Sequence, residues 1–223
     1  MSSIKKPIIF SVEGNIGSGK STLITYLKDK YKYNNIHFLH EPVDEWNEFK
    51  DEQNITILQH FYSDQKKYAF TFQMMAYISR LSAMKKIIKK NQYDIIFTER
   101  SIFTDKNVFA QMLFDDNKID KLHYDIYLKW FNEFIDDIPP IHVIYLKTTP
   151  EISYERVKKR AREGEEVIGV EYLKRCCEYH DKWLEKENNI YIIIDGNKNI
   201  YKDDNLDLSY LESCIEKHRT LFQ

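Results

Sequence analysis

Five short apolar runs divide the chain: Ile8 to Val12, Ile36 to His40, Tyr93 to Phe97, Ile141 to Leu146 and Tyr191 to Ile194. Each is nearly continuous in hydrophobicity, with little alternation, the pattern of strands covered on both faces. Between them the apolar period changes to that of a helix. Ile57, Leu58, Phe61 and Tyr62, then Met74, Met75, Ile78, Leu81 and Met84, predict two helices between Gln53 and Lys90, with a break near Asp64 to Tyr68. A long aromatic-rich helix is predicted from Ile119 to Ile138, ended by Pro139 and Pro140. Further helices are expected after Thr149-Pro150, over Glu171 to Asn188 and over Leu206 to Phe222. Strands alternating with helices imply an α/β fold with a five-stranded parallel sheet and helices on both faces. Ligands of such sheets sit beyond the carboxyl ends of the strands. That rule selects Glu13 and the loop after it, Glu41, Glu99 with Arg100, Lys147 to Pro150, and Asp195 to Asn199.

The first of these positions carries a specific signal. Gly14-x-x-x-x-Gly19-Lys20-Ser21 follows a strand-type run and opens a helix, the phosphate-binding loop of P-loop NTPase-like folds. Over residues 13–22, the backbone of Gly14, Asn15, Ile16, Gly17, Ser18 and Gly19 would turn its N–H groups onto phosphate oxygens, with Lys20, Ser21 and Thr22 behind them. Lys20 would reach the β- and γ-phosphates and the Ser21 hydroxyl would hold Mg²⁺. At the second strand end, Pro42 disfavours helix at Glu41 and holds that carboxylate near the loop. There it serves as a base for an attacking hydroxyl, or else as an N-terminal helix carboxylate or half of a surface ion pair. Gln73, Ala76 and Arg80 share one helical stripe, so the amide and guanidinium need partners, either other side chains or a planar polar ligand such as a nucleobase. Glu99 would position Mg²⁺ through water. Arg100 either neutralises charge at the reacting oxygens or pairs with Glu41 or Glu99. A helix starting near Asp105 would put Asp105 and Phe109 on one face at i and i+4. Arg156, Arg160 and Arg162, followed by Glu163-Gly164-Glu165-Glu166, read either as a solvated charged helix or as an arginine lid over about 156–168; beside a phosphate loop the lid is favoured. Tyr124, Tyr127, Trp130, Phe131 and Phe134 exceed what one buried face requires, which leaves a dimer interface and intrachain packing both open.

Composition narrows the function classes. At 223 residues the chain suits one domain, 1–223. With 33 basic and 35 acidic side chains interleaved, it has no electrostatic footprint for nucleic acid or an anionic membrane, so a small substrate is expected. Three cysteines (Cys176, Cys177 and Cys214) without C-x-x-C spacing, and seven histidines without metal spacing, argue against a zinc site or a disulfide framework. No apolar run reaches membrane-spanning length and no leader is evident, so a cytoplasmic protein is expected.

Taken together the motifs resemble deoxynucleoside kinases of the deoxycytidine, deoxyguanosine and deoxyadenosine kinase type. The matching segments are EGNIGSGKST from Glu13, EPVDEW from Glu41, FTFQMMAYISR from Phe70, ERSIFTD from Glu99, RAREGEEVIGVEYL from Arg160 and HDKWL from His180, in the family's order as far as about Leu184. The resemblance implies Glu41 as the base for the deoxyribose 5'-hydroxyl, with Arg100 beside it. It implies Lys20, Ser21 and Thr22 on phosphate and Mg²⁺, and Glu99 as the metal's acidic partner. Tyr62 and Glu165 would grip the 3'-hydroxyl, Gln73 would read the base edge, Phe72 and Phe109 would line its faces, and Trp46 would close the pocket. Arg156, Arg160 and Arg162 match the lid arginines. Ala76, Arg80 and Asp105 match branches that accept purines and cytosine, so deoxyadenosine, deoxyguanosine and deoxycytidine are expected ahead of thymidine. ATP, Mg²⁺ and a homodimer complete what the family implies. Two departures stand out: Ala161 lies between the lid arginines where relatives often have glycine, and Gly164 precedes Glu165. The rival readings are a nucleoside monophosphate kinase, whose acceptor phosphate Glu41 would repel, and a non-catalytic nucleotide-binding subunit.

Overall fold

The computed structural model describes residues 6–186, 190–198, 209 and 211–213. Strands β1 (Ile8–Glu13), β2 (Ile36–Leu39), β3 (Ile95–Glu99), β4 (Ile141–Lys147) and β5 (Ile190–Asp195) form one sheet of order β2-β3-β1-β4-β5, parallel throughout. The helices are α1 (Lys20–Lys30), α2 (Val43–Trp46), α3 (Ile57–Ser63), α4 (Gln65–Lys89), α5 (Ile102–Thr104), α6 (Gln111–Asp115), α7 (Lys121–Phe134), α8 (Pro150–Arg160) and α9 (Val170–Leu184). The crossover from β1 leads to β2 on one side and that from β3 leads to β4 on the other. The chain therefore reverses direction between β1 and β3, where a crevice opens.

The apolar runs become strands because both sheet faces are covered. Phe10, Val12, Phe97, Ile144 and Leu146 pack against Leu23, Ile24 and Leu27 of α1, with Phe10 stacked on Phe97 at 5.3 Å and Phe38 on Phe97 at 5.2 Å. On the opposite face Ile9, Ile96 and Ile141 meet Met84 of α4, while Val143 and Tyr145 meet Val108, Met112 and the α9 residues Cys176, Tyr179 and Trp183. A further cluster joins α3, α4 and α7 around Phe61, Tyr77, Tyr127 and Phe131.

The break expected near Asp64 falls there, and its cause is two consecutive caps. Thr56 forms a capping box with Gln59 to open α3, and the Asp64 side chain accepts from Lys67 N to open α4. Three expectations need correction. The segment Asp105–Ala110 is a π-helical turn, so Asp105 and Phe109 do not stand one above the other as in an α-helix. Helix α7 is shorter than Ile119 to Ile138, because the Asp120 side chain caps it at His123 N and Ile135–Asp137 tightens into a 3₁₀ turn. Strands β1 and β3 extend further toward their carboxyl ends, so Glu13 and Glu99 are strand residues, in adjacent strands with Val12 registered on Glu99. Most of the helix expected over Leu206 to Phe222 lies outside the described residues, as do Asn199 and Cys214.

Candidate active site

The crevice opens into a cavity of about 520 Å³ whose walls come from the phosphate loop, the ends of β2 and β3, α3, α4 and the lid segment. The loop is shaped by its glycines. Gly14 and Gly17 have φ of 149° and 77°, and a Cβ on Gly17 would fall 2.4 Å from the Ser153 carbonyl oxygen. Gly19, with φ of 101°, precedes α1 without a side-chain cap, which leaves the first N–H groups of that helix for an anion. Asn15 ties the loop to α9 by donating from Nδ2 to the Leu173 carbonyl at 2.8 Å, and accepts from Ile16 N on Oδ1. Lys20 Nζ donates to the Asn15 carbonyl at 2.7 Å; burial, reinforced by Arg100, lowers its ammonium to about 7. Ser21 Oγ donates to Glu99 Oε1 at 2.6 Å, which couples the start of α1 to the end of β3.

Glu41 stands between two guanidinium groups. Arg100 Nη1 donates to both of its oxygens at 3.0 and 3.1 Å, and Arg80 Nη2 donates to Oε1 at 2.8 Å. Burial pushes the carboxyl up, but Arg100, Arg80 and then Lys20 outweigh it and hold the group far below the usual carboxylate range. Arg80 is fully engaged: Nε donates to Asp105 Oδ2 at 2.9 Å and Nη1 to the Glu99 carbonyl at 2.9 Å. Protein side chains therefore satisfy the α4 guanidinium, whereas Gln73, on the same stripe and 2 % exposed, has no hydrogen-bond partner for Oε1. Around this amide stand Phe72, Ala76 and Trp46, whose Nε1 donates to Ser79 Oγ at 2.8 Å. Phe109 lies under the Arg100 guanidinium at 5.1 Å. Burial raises the Tyr62 phenol well above its ordinary range, with the Glu165 charge adding to it.

The lid arginines are held by protein groups. Arg156 Nη1 donates to the Ser18 carbonyl at 3.1 Å; Arg160 Nη2 donates to Glu165 Oε2 at 2.6 Å and Arg162 Nη1 to Glu165 Oε1 at 3.4 Å. The departures from the family pattern show in the backbone. Ala161 adopts φ of 50°, and Gly164, with φ of 87°, packs on Gln59, whose Nε2 donates to Glu163 Oε1 at 2.8 Å.

A model of the deoxynucleoside kinase family matches residues 10–218. The chain belongs to the deoxynucleoside kinase family. It is 37% identical to a probable deoxycytidine kinase of Fowlpox virus (strain NVSL), covering 92% of this chain and 86% of that protein. It is 32% identical to deoxycytidine kinase 2 of Gallus gallus over 94% of this chain and 89% of that protein. The mitochondrial deoxyguanosine kinase of Xenopus laevis is 29% identical over 79% of this chain and 73% of its own length.

Nearly all residues singled out from the sequence of this deoxynucleoside kinase line the one cavity, including Ile16, Gly17, Gly19, Lys20, Ser21, Thr22, Glu41, Tyr62, Gln73, Asp105, the three lid arginines and Glu165. Gly14, Asn15 and Ser18 instead shape the loop from behind. The sequence reading missed His40, Val43, Asp44, Leu58, Phe61 and Tyr172. Leu58 and Phe61 carry only the signal of an apolar helix face, and His40 is marked by nothing except its place before Glu41. Ser21 and Glu99 are hard oxygen donors already within hydrogen-bond distance of each other, a pair that fits Mg²⁺. Among the described residues no group of three or more His, Cys, Asp or Glu could hold a metal, so phosphate oxygens and water would supply the remaining ligands. No helix among the described residues is long and apolar enough to cross a membrane.

Proposed function

We propose that this kinase transfers the γ-phosphoryl group of ATP to the 5'-hydroxyl of a deoxyribonucleoside, with deoxyadenosine, deoxyguanosine and deoxycytidine preferred to thymidine. The observation that carries this reading is a single one. An ionised carboxylate, Glu41, and the phosphate-binding loop line the same cavity, and the charge of Lys20 acts on Glu41. An acceptor phosphate would meet that carboxylate with like charge, so a neutral alcohol is the better acceptor.

In this reading the loop N–H groups and Lys20 hold the donor phosphates, with Arg156, Arg160 and Arg162 closing over them. Their contacts to Ser18 and Glu165 are the protein-only alternative that a triphosphate replaces. Ser21 and Glu99 would hold Mg²⁺, which would supply neutralising charge to the phosphate oxygens. Glu41 accepts a hydrogen bond from the 5'-hydroxyl and takes its proton. A carboxylate held so far below neutrality is a weak base, but phosphoryl transfer passes through a loose transition state that asks little of one. Its main contribution is to aim the hydroxyl oxygen, and Arg100 spreads positive charge beside the reacting oxygens. Tyr62 and Glu165 take the 3'-hydroxyl. Gln73 presents an unpaired acceptor to the exocyclic amine of cytosine or adenine, and with its amide reversed it meets guanine. The relatives named as deoxycytidine and deoxyguanosine kinases support deoxycytidine and deoxyguanosine as acceptors.

The reading takes residues 1–223 as one kinase domain, with a phosphate loop over 13–22 and a lid over about 156–168. It also takes the kinase to be a cytoplasmic homodimer. Leu122, Ile126 and Trp130 follow one another at i, i+4 and i+8 on α7 and are 69%, 38% and 47% exposed, with Ile78 of α4 at 51%. A monomer rarely leaves such a stripe to water.

The test is a phosphorylation panel of four deoxynucleosides and their monophosphates with ATP and Mg²⁺. Turnover of nucleosides, thymidine slowest, is expected. Turnover of monophosphates alone would overturn the reading, and no turnover of either would favour a non-catalytic subunit.

A further inference from the structure

Glu13 takes no part in the chemistry above, yet it is a fully buried carboxylate at the end of β1, where the phosphate loop begins. Among the described residues no cation lies within salt-bridge distance of it. Three hydroxyls converge on it instead: Ser11 Oγ donates to Oε1 at 2.5 Å, Ser101 Oγ donates to Oε1 at 2.7 Å, and Thr104 Oγ1 donates to Oε2. Burying an ionised carboxylate is costly, and hydrogen bonds to its oxygens are what offset that cost. Of the three donors, Ser101 lies in the turn that follows β3 and carries Arg100, and Thr104 ends the short helix α5 that the turn leads into. The Arg100 backbone is left-handed, with φ of 61°, a conformation that a residue with a side chain keeps only when its surroundings enforce it.

The neighbours of Glu13 hold the same turn. Arg100 N donates to the Val12 carbonyl at 3.0 Å, and Arg100 Nη2 lies 3.5 Å from the Gly14 carbonyl. Three consecutive residues, Val12, Glu13 and Gly14, thus stitch the entrance of the phosphate loop to residues 100, 101 and 104. Of the three, only Glu13 does so through its side chain. Beyond Thr104 the chain enters the π-helical turn that presents Asp105 to Arg80.

We propose that Glu13 is a positioning residue: by binding the Ser101 and Thr104 hydroxyls it locks Arg100 in the left-handed turn that aims its guanidinium at Glu41. The inference rests on the reading of Glu41 as the group that orients the acceptor hydroxyl. Removing the Glu13 carboxylate frees the turn and lets Arg100 drift from both the acceptor side and the loop. A drift of about 1 Å at such a group costs up to about 100-fold in rate. The donor site, built from loop N–H groups and Lys20, stays in place.

The experiment compares kcat and both KM values for the wild type, Glu13→Gln, Glu13→Ala, Glu41→Gln and the double variant Glu13→Ala with Glu41→Gln. Glutamine keeps an acceptor oxygen and offers an N–H to a rotated hydroxyl, so Glu13→Gln should stay within about threefold of wild-type kcat. Glu13→Ala should lose about 10- to 100-fold in kcat with the ATP KM within about threefold. In the Glu41→Gln background the same change should cost under about threefold, because the two residues act through one arrangement. Wild-type kcat for Glu13→Ala, or equal losses in both backgrounds, would overturn the proposal. If Glu13→Ala does not fold by circular dichroism, Ser101→Ala with Thr104→Val carries the test; the same kcat loss supports the proposal and wild-type kcat sinks it. Undiminished turnover by Glu41→Gln alone reports instead that the reading of Glu41 is wrong, and the positioning proposal falls with it.

Discussion

Arg100 Nη1 lies 3.0 Å from one oxygen of Glu41 and 3.1 Å from the other, so a single guanidinium nitrogen straddles the carboxylate. With Arg80 on Oε1 as well, the carboxylate cannot rotate or protonate near neutrality. The carboxylate so held lines the cavity. Orientation, more than basicity, is what this arrangement provides.

Glu41→Gln should therefore lower kcat by about 10²- to 10⁴-fold while ATP still binds. The amide keeps the volume but would turn an N–H toward one of the two guanidinium groups. ATP affinity is read by thermal shift with and without nucleotide, and turnover by a coupled assay. Loss of ATP binding together with turnover would place the defect in the fold and not at the acceptor hydroxyl.

Gln73→Leu should raise the deoxynucleoside KM and leave that of ATP unchanged. The buried Oε1 is unpaired in the protein, and in the proposed reading the nucleobase is its partner. Losing that contact leaves the polar edge of the base unsatisfied, which costs about 1–3 kcal/mol in kcat/KM. An effect shared equally by both substrates would refute the assignment.

How much of this was readable beforehand follows from the range of each interaction. Strands, the phosphate loop and the break at Asp64 are local patterns, and each was legible from apolar runs, glycine spacing or capping residues. The Glu41, Lys20 and Glu99 constellation followed from one topological rule, that parallel strands gather their carboxyl ends. What was illegible depends on separation. Nothing in the sequence says that Arg80 spends its guanidinium on Asp105, 25 residues away, and on Glu41 instead of on a ligand. The π-helical turn at Asp105–Ala110 has the same apolar period as a short α-helix, and the hydroxyls around Glu13 are ordinary serines and threonines until the fold brings them together.

Gly164→Ala should weaken nucleoside binding without unfolding the protein. The position has φ of 87°, and an added Cβ would lie 3.0 Å from Gln59 Cγ. A left-handed alanine costs about 1–2 kcal/mol. The displaced loop carries Glu165, so the nucleoside KM should rise by about tenfold, while the melting temperature falls by no more than about 2–8 °C. Ala161→Gly, at φ of 50°, relieves the same strain and serves as the opposing control.

Trp130→Glu should yield a monomer in size-exclusion chromatography with light scattering. A charge at the Trp130 end of the Leu122, Ile126 and Trp130 stripe would be buried unpaired in a dimer, at a cost of about 3–5 kcal/mol per site. Elution of the wild type as a monomer would remove the homodimer from the proposal.

His180 sets part of the acid sensitivity. Its ring is fully buried between Phe109 and Tyr145, with Nδ1 2.7 Å from the Cys176 carbonyl and Nε2 unpartnered. Burial lowers its pKa from 6.5 to about 3. The unfolded imidazole takes a proton near 6.5 and the folded one only near 3, so between those values the unfolded state binds more protons. The stability contributed by the neutral ring is therefore complete above about pH 6.5 and declines as pH falls, by about 2 kcal/mol at pH 5. His180→Asn keeps an N–H for the carbonyl but cannot titrate. It should be less stable than wild type at pH 7.5, because the smaller side chain leaves space in the core. Its loss of unfolding free energy between pH 7.5 and 5 should be about 2 kcal/mol smaller, measured by urea denaturation at both values. An equal loss in the two proteins would mean that other groups carry the acid response.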